Sequence, residues 1–203
     1  MMSLFFSLFD TGIPWYVVLC ILLVAVSGSV LLCFSWKGNR WESILLLWIA
    51  AYFFLMLYST VLGREVREEA HLQLMPFWSI GAIREGLIEV LYEKIYNVLF
   101  FMPYGVLLGA YPWSPKRKAY PQPLPKGKAY PQPLPKGKGG WVWRVVLIGF
   151  LTSVGIELLQ LITRTGTCET DDVICNTVGC GVGAGMVYGL RFMVYGGLKW
   201  FKR

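Results

Sequence analysis

Residues 145–163 read VVLIGFLTSVGIELLQLIT, an apolar run in which Glu157 is the only charged residue. As an α-helix this run extends about 28 Å, close to the hydrocarbon thickness of a bilayer, about 30 Å. Uncharged runs of similar length recur along the chain at 13–34, 43–63, 95–115 and 173–190. The sequence therefore predicts an all-α fold, a polytopic membrane helix bundle with about five transmembrane helices.

The composition of the chain agrees with a membrane environment. The 203 residues are 56% hydrophobic and only 15% charged, whereas a soluble domain is about 25% charged. These values exclude an ordinary soluble globule and a disordered chain. The formal net charge is +7, a value that nucleic-acid-binding proteins also have. In a membrane protein, however, basic residues usually concentrate on the cytoplasmic side and reflect its orientation. We therefore expect no nucleic-acid partner.

The distribution of basic residues predicts the orientation of the helices. The loop 111–144 carries eight Lys or Arg residues and no acid, and basic residues also occur in the turn 35–42 and the tail 191–203. These three segments alternate along the chain so that they share one side, the cytoplasm by the positive-inside rule. The segment 64–94, with six of the chain's 12 acids, then faces outward. The prediction is N-out, C-in.

This orientation divides the chain into three parts. Residues 1–42 form a first transmembrane helix and a cytoplasmic turn, 43–190 a membrane domain, and 191–203 a basic cytoplasmic tail. Within the loop 111–144 the sequence AYPQPLPKGK occurs twice in tandem, at 119–138. Alternating Pro favours an extended chain, so we interpret the repeat as a tether. A Pro-rich ligand or a contact with anionic lipid is the alternative.

Glu157 lies near the middle of a predicted span. An acid there costs about 2.5–3.5 kcal/mol on insertion, so it needs a partner or a function. Helical spacing places Ser153, Glu157, Gln160 and Arg164 on one stripe. A bridge from Glu157 to Arg164 through Gln160 or water is one interpretation. The alternative is a structural polar contact between helices.

The segment after this span is rich in acids. Asp171 and Asp172 directly precede an apolar run, where either could cap the next helix. One cap explains one aspartate and leaves the other aspartate, Glu169 and Asn176 without a role. Asp171 and Asp172 are also the candidates for a divalent cation, which prefers hard oxygen ligands. No other cofactor is indicated.

The last span contains two glycine patterns. Gly179-x3-Gly183 and Gly181-x3-Gly185-x3-Gly189 place small residues on helical faces. Such faces let helix backbones approach closely, so both patterns predict helix packing.

In the predicted topology, polar groups from several helix ends meet at the outer face. We call this set the acidic cluster. Its members are Arg64, Asn97, Glu157, Gln160, Arg164, Glu169, Asp171, Asp172 and Asn176. Glu157 and Asp172 are its candidate catalytic residues.

Several runs within 43–190 carry a family resemblance, among them Leu62-Gly-Arg64, Leu74-Met-Pro-Phe-Trp-Ser79 and Arg164, and three of the runs together are the most specific. They are Asn97-Val-Leu-Phe-Phe-Met-Pro-Tyr-Gly105, Glu157-Leu-Leu-Gln160 and Glu169-Thr-Asp-Asp-Val-Ile-Cys-Asn-Thr-Val-Gly179. In their order and spacing the chain resembles the VanZ family. It departs from many relatives at Gln73, where they have Asn before a Leu-x-Pro-Phe run, and in its tandem repeat. The resemblance implies a multi-pass protein of the bacterial plasma membrane, in a family whose namesake lowers susceptibility to the glycopeptide teicoplanin.

Three functions are compatible with these features. The first is reduced glycopeptide action through the acidic cluster, with membrane lipids and either the antibiotic or a lipid-linked wall precursor as partners. The second is an enzyme acting on a lipid-linked or phosphate-bearing envelope substrate, with Glu157 as acid or base and Arg164 binding phosphate. No independent catalytic motif such as G-x-S-x-G or H-E-x-x-H supports it. The third is transport coupled to Glu157. The sequence leaves the oligomeric state open.

Overall fold

The structure, a computed structural model, describes residues 40–113 and 140–200 and, before them, only Val26. Side chains are described for 41–113 and 140–193. The predicted first helix at 13–34, apart from Val26, lies outside the described residues. So do the tandem repeat at 119–138 and residues 201–203.

The described part of the chain is mostly helical, which confirms the all-α prediction. Its two strands have three residues each. In chain order the elements are α1 (Arg40–Leu57) with a following π-helical turn (Tyr58–Leu62), β1 (His71–Gln73), α2 (Trp78–Arg84), α3 (Ile88–Ala110), α4 (Gly140–Thr163), β2 (Thr167–Glu169) and α5 (Thr170–Trp200).

Three described segments are long and apolar enough to cross a membrane: Trp41–Leu62, Gly140–Thr163 and Thr170–Met193. They correspond to the runs predicted at 43–63, 145–163 and 173–190. The remaining predicted span in the described region, 95–115, differs from the structure, because α3 begins at Ile88 and ends at Ala110.

The difference has a physical reason at each end of α3. Its first two turns contain Glu89, Glu93 and Lys94, so its uncharged part, 95–110, is only about 24 Å long. Tyr111 is extended, with φ −63° and ψ 138°, as expected for a residue that precedes proline. The helix is therefore charged at its start and shorter than the hydrocarbon layer in its apolar part.

The core forms where α3 packs against α4 and α5. Its fully or nearly buried members are Met56, Val61, Phe101, Tyr104, Leu108, Val145, Ile156, Cys180 and Ala184. Two glycines make the close approach of α5 to α3 possible. A Cβ added to Gly179 would overlap the Val98 carbonyl oxygen, and one added to Gly183 would overlap the Met102 carbonyl oxygen. The Gly179-x3-Gly183 prediction is confirmed.

The second glycine pattern behaves differently. In the described part of the chain, no atom lies within 4 Å of a Cβ built on Gly185 or Gly189. The nearest atom to a Cβ at Gly181 is 3.5 Å away, an ordinary contact. Among the described residues, this face of α5 therefore makes no close helix contact. The predicted first helix lies outside those residues, so close packing along Gly181-x3-Gly185-x3-Gly189 stays a prediction.

A short parallel strand pair closes one end of the bundle. β1 pairs with β2 so that Leu72 lies opposite Cys168, and the Arg67 N–H donates to the Arg164 carbonyl oxygen at 2.8 Å. These bonds hold the connection after α1 against the turn between α4 and α5. The end of α1, the start of α3 and the α4–α5 turn are thereby gathered at this end.

Candidate polar cavity

At this end of the bundle lies a cavity of about 170 Å³. Seven of the nine members of the acidic cluster line it. These are Arg64, Asn97, Glu157, Gln160, Glu169, Asp172 and Asn176. The structure thus brings together residues that the sequence places on α3, α4, α5 and the segments next to them. We call this space the polar cavity.

Glu157 lies deep in the polar cavity, with only 3% of its surface exposed. Its Oε2 accepts a hydrogen bond of 3.0 Å from the Glu169 backbone N–H. This bond ties the carboxylate on α4 to strand β2. The bond fixes the orientation of the carboxylate and compensates part of the cost of burying it.

Asn176 forms the neighbouring part of the cavity wall. Its Nδ2 donates to the Ser153 hydroxyl at 2.9 Å, so α5 and α4 are joined one turn below Glu157. Its Oδ1 is buried and has no hydrogen-bond partner among the described residues. Asp172, four residues earlier on α5, lines the same cavity, as the helical spacing predicts.

Lys94 joins the acids of the polar cavity. Its Nζ lies 2.5 Å from Asp172 Oδ1, 2.7 Å from Glu169 Oε2 and 3.5 Å from Glu93 Oε1. It also lies 5.5 Å from the centre of the Trp78 ring. The side chains of Lys94, Glu169 and Asp172 are all largely buried, so the ammonium neutralises two carboxylates that have little contact with water, whereas Glu93 is about half exposed.

Sequence reasoning missed Lys94 because the predicted span began one residue later, at Ile95. The sequence feature that could have identified Lys94 is its position three residues before Asn97, since residues three apart share a helix face. Arg67, Glu93 and Tyr96 also line the cavity and were not predicted. Glu93 had the same kind of sequence feature, because it lies four residues before Asn97. Tyr96 is adjacent to Asn97 and Arg67 lies in an irregular segment, so helical spacing indicated neither of them.

Two arginines stand at the more exposed side of the cavity. Arg64 and Gln160 both lie against Gly166. A Cβ built on this glycine would be 3.0 Å from Gln160 Cδ and 3.3 Å from Arg64 Nη1, so the two side chains are neighbours. Arg67 donates from Nη1 to the Thr167 hydroxyl at 3.2 Å. Among the described residues, neither arginine forms an ion pair with a carboxylate. Both guanidinium groups are therefore available to an anion.

Asp171 is not part of the cavity wall. Its Oδ1 accepts from the Phe77 N–H at 2.5 Å, and its Oδ2 accepts from the Ser79 N–H at 3.0 Å and the Ser79 hydroxyl at 2.5 Å. The carboxylate thus caps the N-terminus of α2, a helix distant in sequence. It also supports Phe77, whose φ of 62° is left-handed.

Arg164 also lies elsewhere. It follows the last residue of α4 with a left-handed φ of 58°, and its Nη1 donates to the Glu68 carbonyl oxygen at 3.4 Å. Gln160 donates from Nε2 to the Thr60 carbonyl oxygen at 3.0 Å. The bridge from Glu157 to Arg164 through Gln160 is therefore not formed, because the chain turns at Arg164 and Gln160 contacts the π-helical turn.

Three carboxylates have spacing that suits a cation. One oxygen each from Glu93, Glu169 and Asp172 lies within 4.8 Å of the others. The capping role of Asp171 separates it from Asp172, so the pair that the sequence suggested does not face one site. The Lys94 ammonium stands among the three acids, and a divalent cation would have to compete with it.

Cys168 lies beside the polar cavity on β2 and is buried. Burial, followed by the charges of Glu157 and Glu169, raises the pKa of its thiol. A raised pKa keeps the sulfur protonated at neutral pH, and the protonated form is a weak nucleophile. Chemistry in the cavity therefore depends on its carboxylates, amides and cations.

Comparison with known proteins identifies one family. A family model described as VanZ/LLP1 matches residues 41–193. No curated protein and no solved structure gives a significant match. Every residue that lines the polar cavity falls within the matched range.

Proposed function

The chain belongs to the VanZ/LLP1 family, and from this premise we propose that it lowers bacterial susceptibility to glycopeptide antibiotics such as teicoplanin. We place it in the bacterial plasma membrane as a multi-pass protein with N-out, C-in orientation. Three apolar helices support the membrane location. The observation that carries the proposal is the polar cavity, in which seven of the nine residues of the acidic cluster meet.

The proposed ligand site is the polar cavity itself. Arg64 and Arg67 suit a carboxylate or phosphate, because guanidinium groups bind these anions through two parallel hydrogen bonds. Deeper in the cavity, Glu157 and Asn176 present acceptors to hydroxyl, amide or ammonium groups of a ligand. Teicoplanin or a lipid-linked wall precursor offers such groups together with a lipid chain. Binding of either at the membrane surface would reduce the action of the antibiotic.

The test is the inhibitory concentration of teicoplanin and vancomycin for a susceptible Gram-positive host that expresses the chain. We expect a selective rise for teicoplanin that is lost in Glu157→Gln and Asp172→Asn at matched membrane abundance. Glu85→Gln is the matched control, since Glu85 is an exposed acid that does not line the cavity. No rise with verified membrane protein would refute the proposal.

The proposed orientation has its own test. A cysteine introduced at position 127, in a chain without its native thiols, should resist an impermeant thiol reagent added to intact cells. Labelling from outside would refute N-out, C-in and would place the loop 111–144 on the same side as the antibiotic.

A second candidate is an enzyme that acts on a lipid-linked or phosphate-bearing envelope substrate. The specific observation is that Glu157, a carboxylate fixed by the Glu169 N–H, lines the same cavity as Arg64 and Arg67, which have no carboxylate partner among the described residues. Such a set could bind a phosphate and transfer a proton. Incubating the purified protein with lipid-linked phosphates and following product by mass spectrometry tests it. Turnover that Glu157→Gln abolishes, in a folded variant, would favour this candidate.

A further inference from the structure

The connection between β1 and α3 has an unusually apolar surface. From the middle of β1 to α2, its exposed large apolar side chains are Leu72, Leu74, Met75, Phe77 and Ile80. Met75 is 70% exposed. Water-soluble surfaces rarely group so many apolar side chains, and such groups mark contacts with proteins or membranes. We call residues 72–80 the apolar connection.

The apolar connection is held at the end of a candidate membrane span. The Thr170 hydroxyl donates to the Leu74 carbonyl oxygen at 3.1 Å, and Asp171 accepts from the Phe77 and Ser79 backbone. Thr170 and Asp171 are the first residues of the span Thr170–Met193. These bonds fix residues 74–79 at the level where that helix would enter the bilayer.

The exposed apolar surface continues on α3. Ile88, Tyr92, Ile95 and Leu99 are all exposed, and their spacing places them on one helix face. α2 leads into this face through the turn at 85–87. By contrast, the segment before β1 exposes charges at Arg64, Glu65, Arg67, Glu68 and Glu69. Across β1 the exposed surface therefore changes from charged to apolar, and exposed charges return at Arg84, Glu85 and Glu89 around the turn that leads to α3.

We propose that the apolar connection lies in the interfacial layer of the bilayer, with its exposed side chains against lipid. The position at a span end and the continuity with the apolar face of α3 favour lipid over water or a second protein. Because Trp78 of α2 packs against Lys94, the polar cavity then lies beside the membrane surface. This proposal depends neither on the antibiotic function nor on which side of the membrane the connection faces.

Spin labels on the full chain test the proposal. Met75→Cys and Phe77→Cys carry the label in the apolar connection, and Glu68→Cys carries it in the charged segment. The native cysteines are replaced first, and the thermal unfolding of this background is compared with that of the natural chain. The protein is reconstituted in phosphatidylcholine vesicles, and each label's accessibility to oxygen and to a water-soluble nickel chelate is measured.

Oxygen concentrates in the hydrocarbon, whereas the nickel chelate stays in water. We therefore expect a several-fold higher oxygen-to-nickel accessibility ratio at positions 75 and 77 than at position 68. Equal ratios at the three positions would place the connection in water and overturn the proposal. Low accessibility to both reagents at 75 and 77 would also overturn it, since a protein partner would then cover the connection.

Discussion

Asp171 provides the sharpest test of the structure, because its side chain links the start of α5 to α2. Asp171→Ala removes the only acceptor that the described residues provide for the Ser79 N–H and hydroxyl and for the Phe77 N–H. A hydrogen bond to a charged acceptor contributes about 1.5–3 kcal/mol. The three bonds share one carboxylate and are not additive, so we expect a total loss of about 2–4 kcal/mol in the local stability of α2.

Hydrogen exchange at the start of α2 measures this loss directly. A change of 1.4 kcal/mol is tenfold in an equilibrium constant, so the amide of Ser79 should exchange about 30- to 700-fold faster in Asp171→Ala. The protein is compared in the same detergent or lipid disc as the natural chain. Glu85→Ala is the matched control, because Glu85 is an exposed acid at the other end of the same helix.

Two outcomes would contradict the role of Asp171 in holding α2. If Asp171→Ala leaves exchange at 77–79 unchanged while it destabilises the first turn of α5, Asp171 caps its own helix and the contact with α2 is wrong. If Glu85→Ala has the same effect as Asp171→Ala, the faster exchange results from the loss of a negative charge near α2 and not from the loss of these hydrogen bonds. Membrane abundance should fall in Asp171→Ala only, since a freed α2 releases the apolar connection.

Three further predictions concern packing and charge. Lys94→Met leaves two buried carboxylates without their cation and should lower the free energy of unfolding by about 3–5 kcal/mol, measured by thermal unfolding. Gly183→Ala should lower the free energy of unfolding by about 1–3 kcal/mol, because α3 and α5 must separate to admit the Cβ. Gly185→Ala has space for its Cβ and should leave the stability unchanged or raise it, and equal effects of the two variants would contradict the packing. The rate of Cys168 maleimide labelling should rise with pH along a curve shifted to higher pH than in the unfolded chain, because the folded thiol has a raised pKa; coincident curves would contradict the burial.

The sequence determines the helical membrane character of this protein. Long uncharged runs can satisfy their backbone groups in lipid only as helices, so the spans near 43–63, 145–163 and 173–190 follow from composition and length. The Gly179-x3-Gly183 pattern likewise places two small residues on one face of a helix, because residues four apart are about one turn apart, but the pattern alone does not identify the helix that packs there. Periodicity also places Glu157 with Gln160, and Asp172 with Asn176, on common faces.

The tertiary structure decides which of these faces meet. Two adjacent aspartates look alike in sequence, yet Asp172 contacts Lys94 and lines the cavity, whereas Asp171 caps a helix more than 90 residues earlier in the chain. Local spacing carries no information on such distant pairs. The same holds for Arg67, which lies in an irregular segment, and for Arg164, which a left-handed turn directs away from Glu157. A helical period predicts which residues share a face, and only the packing of the helices determines what that face contacts.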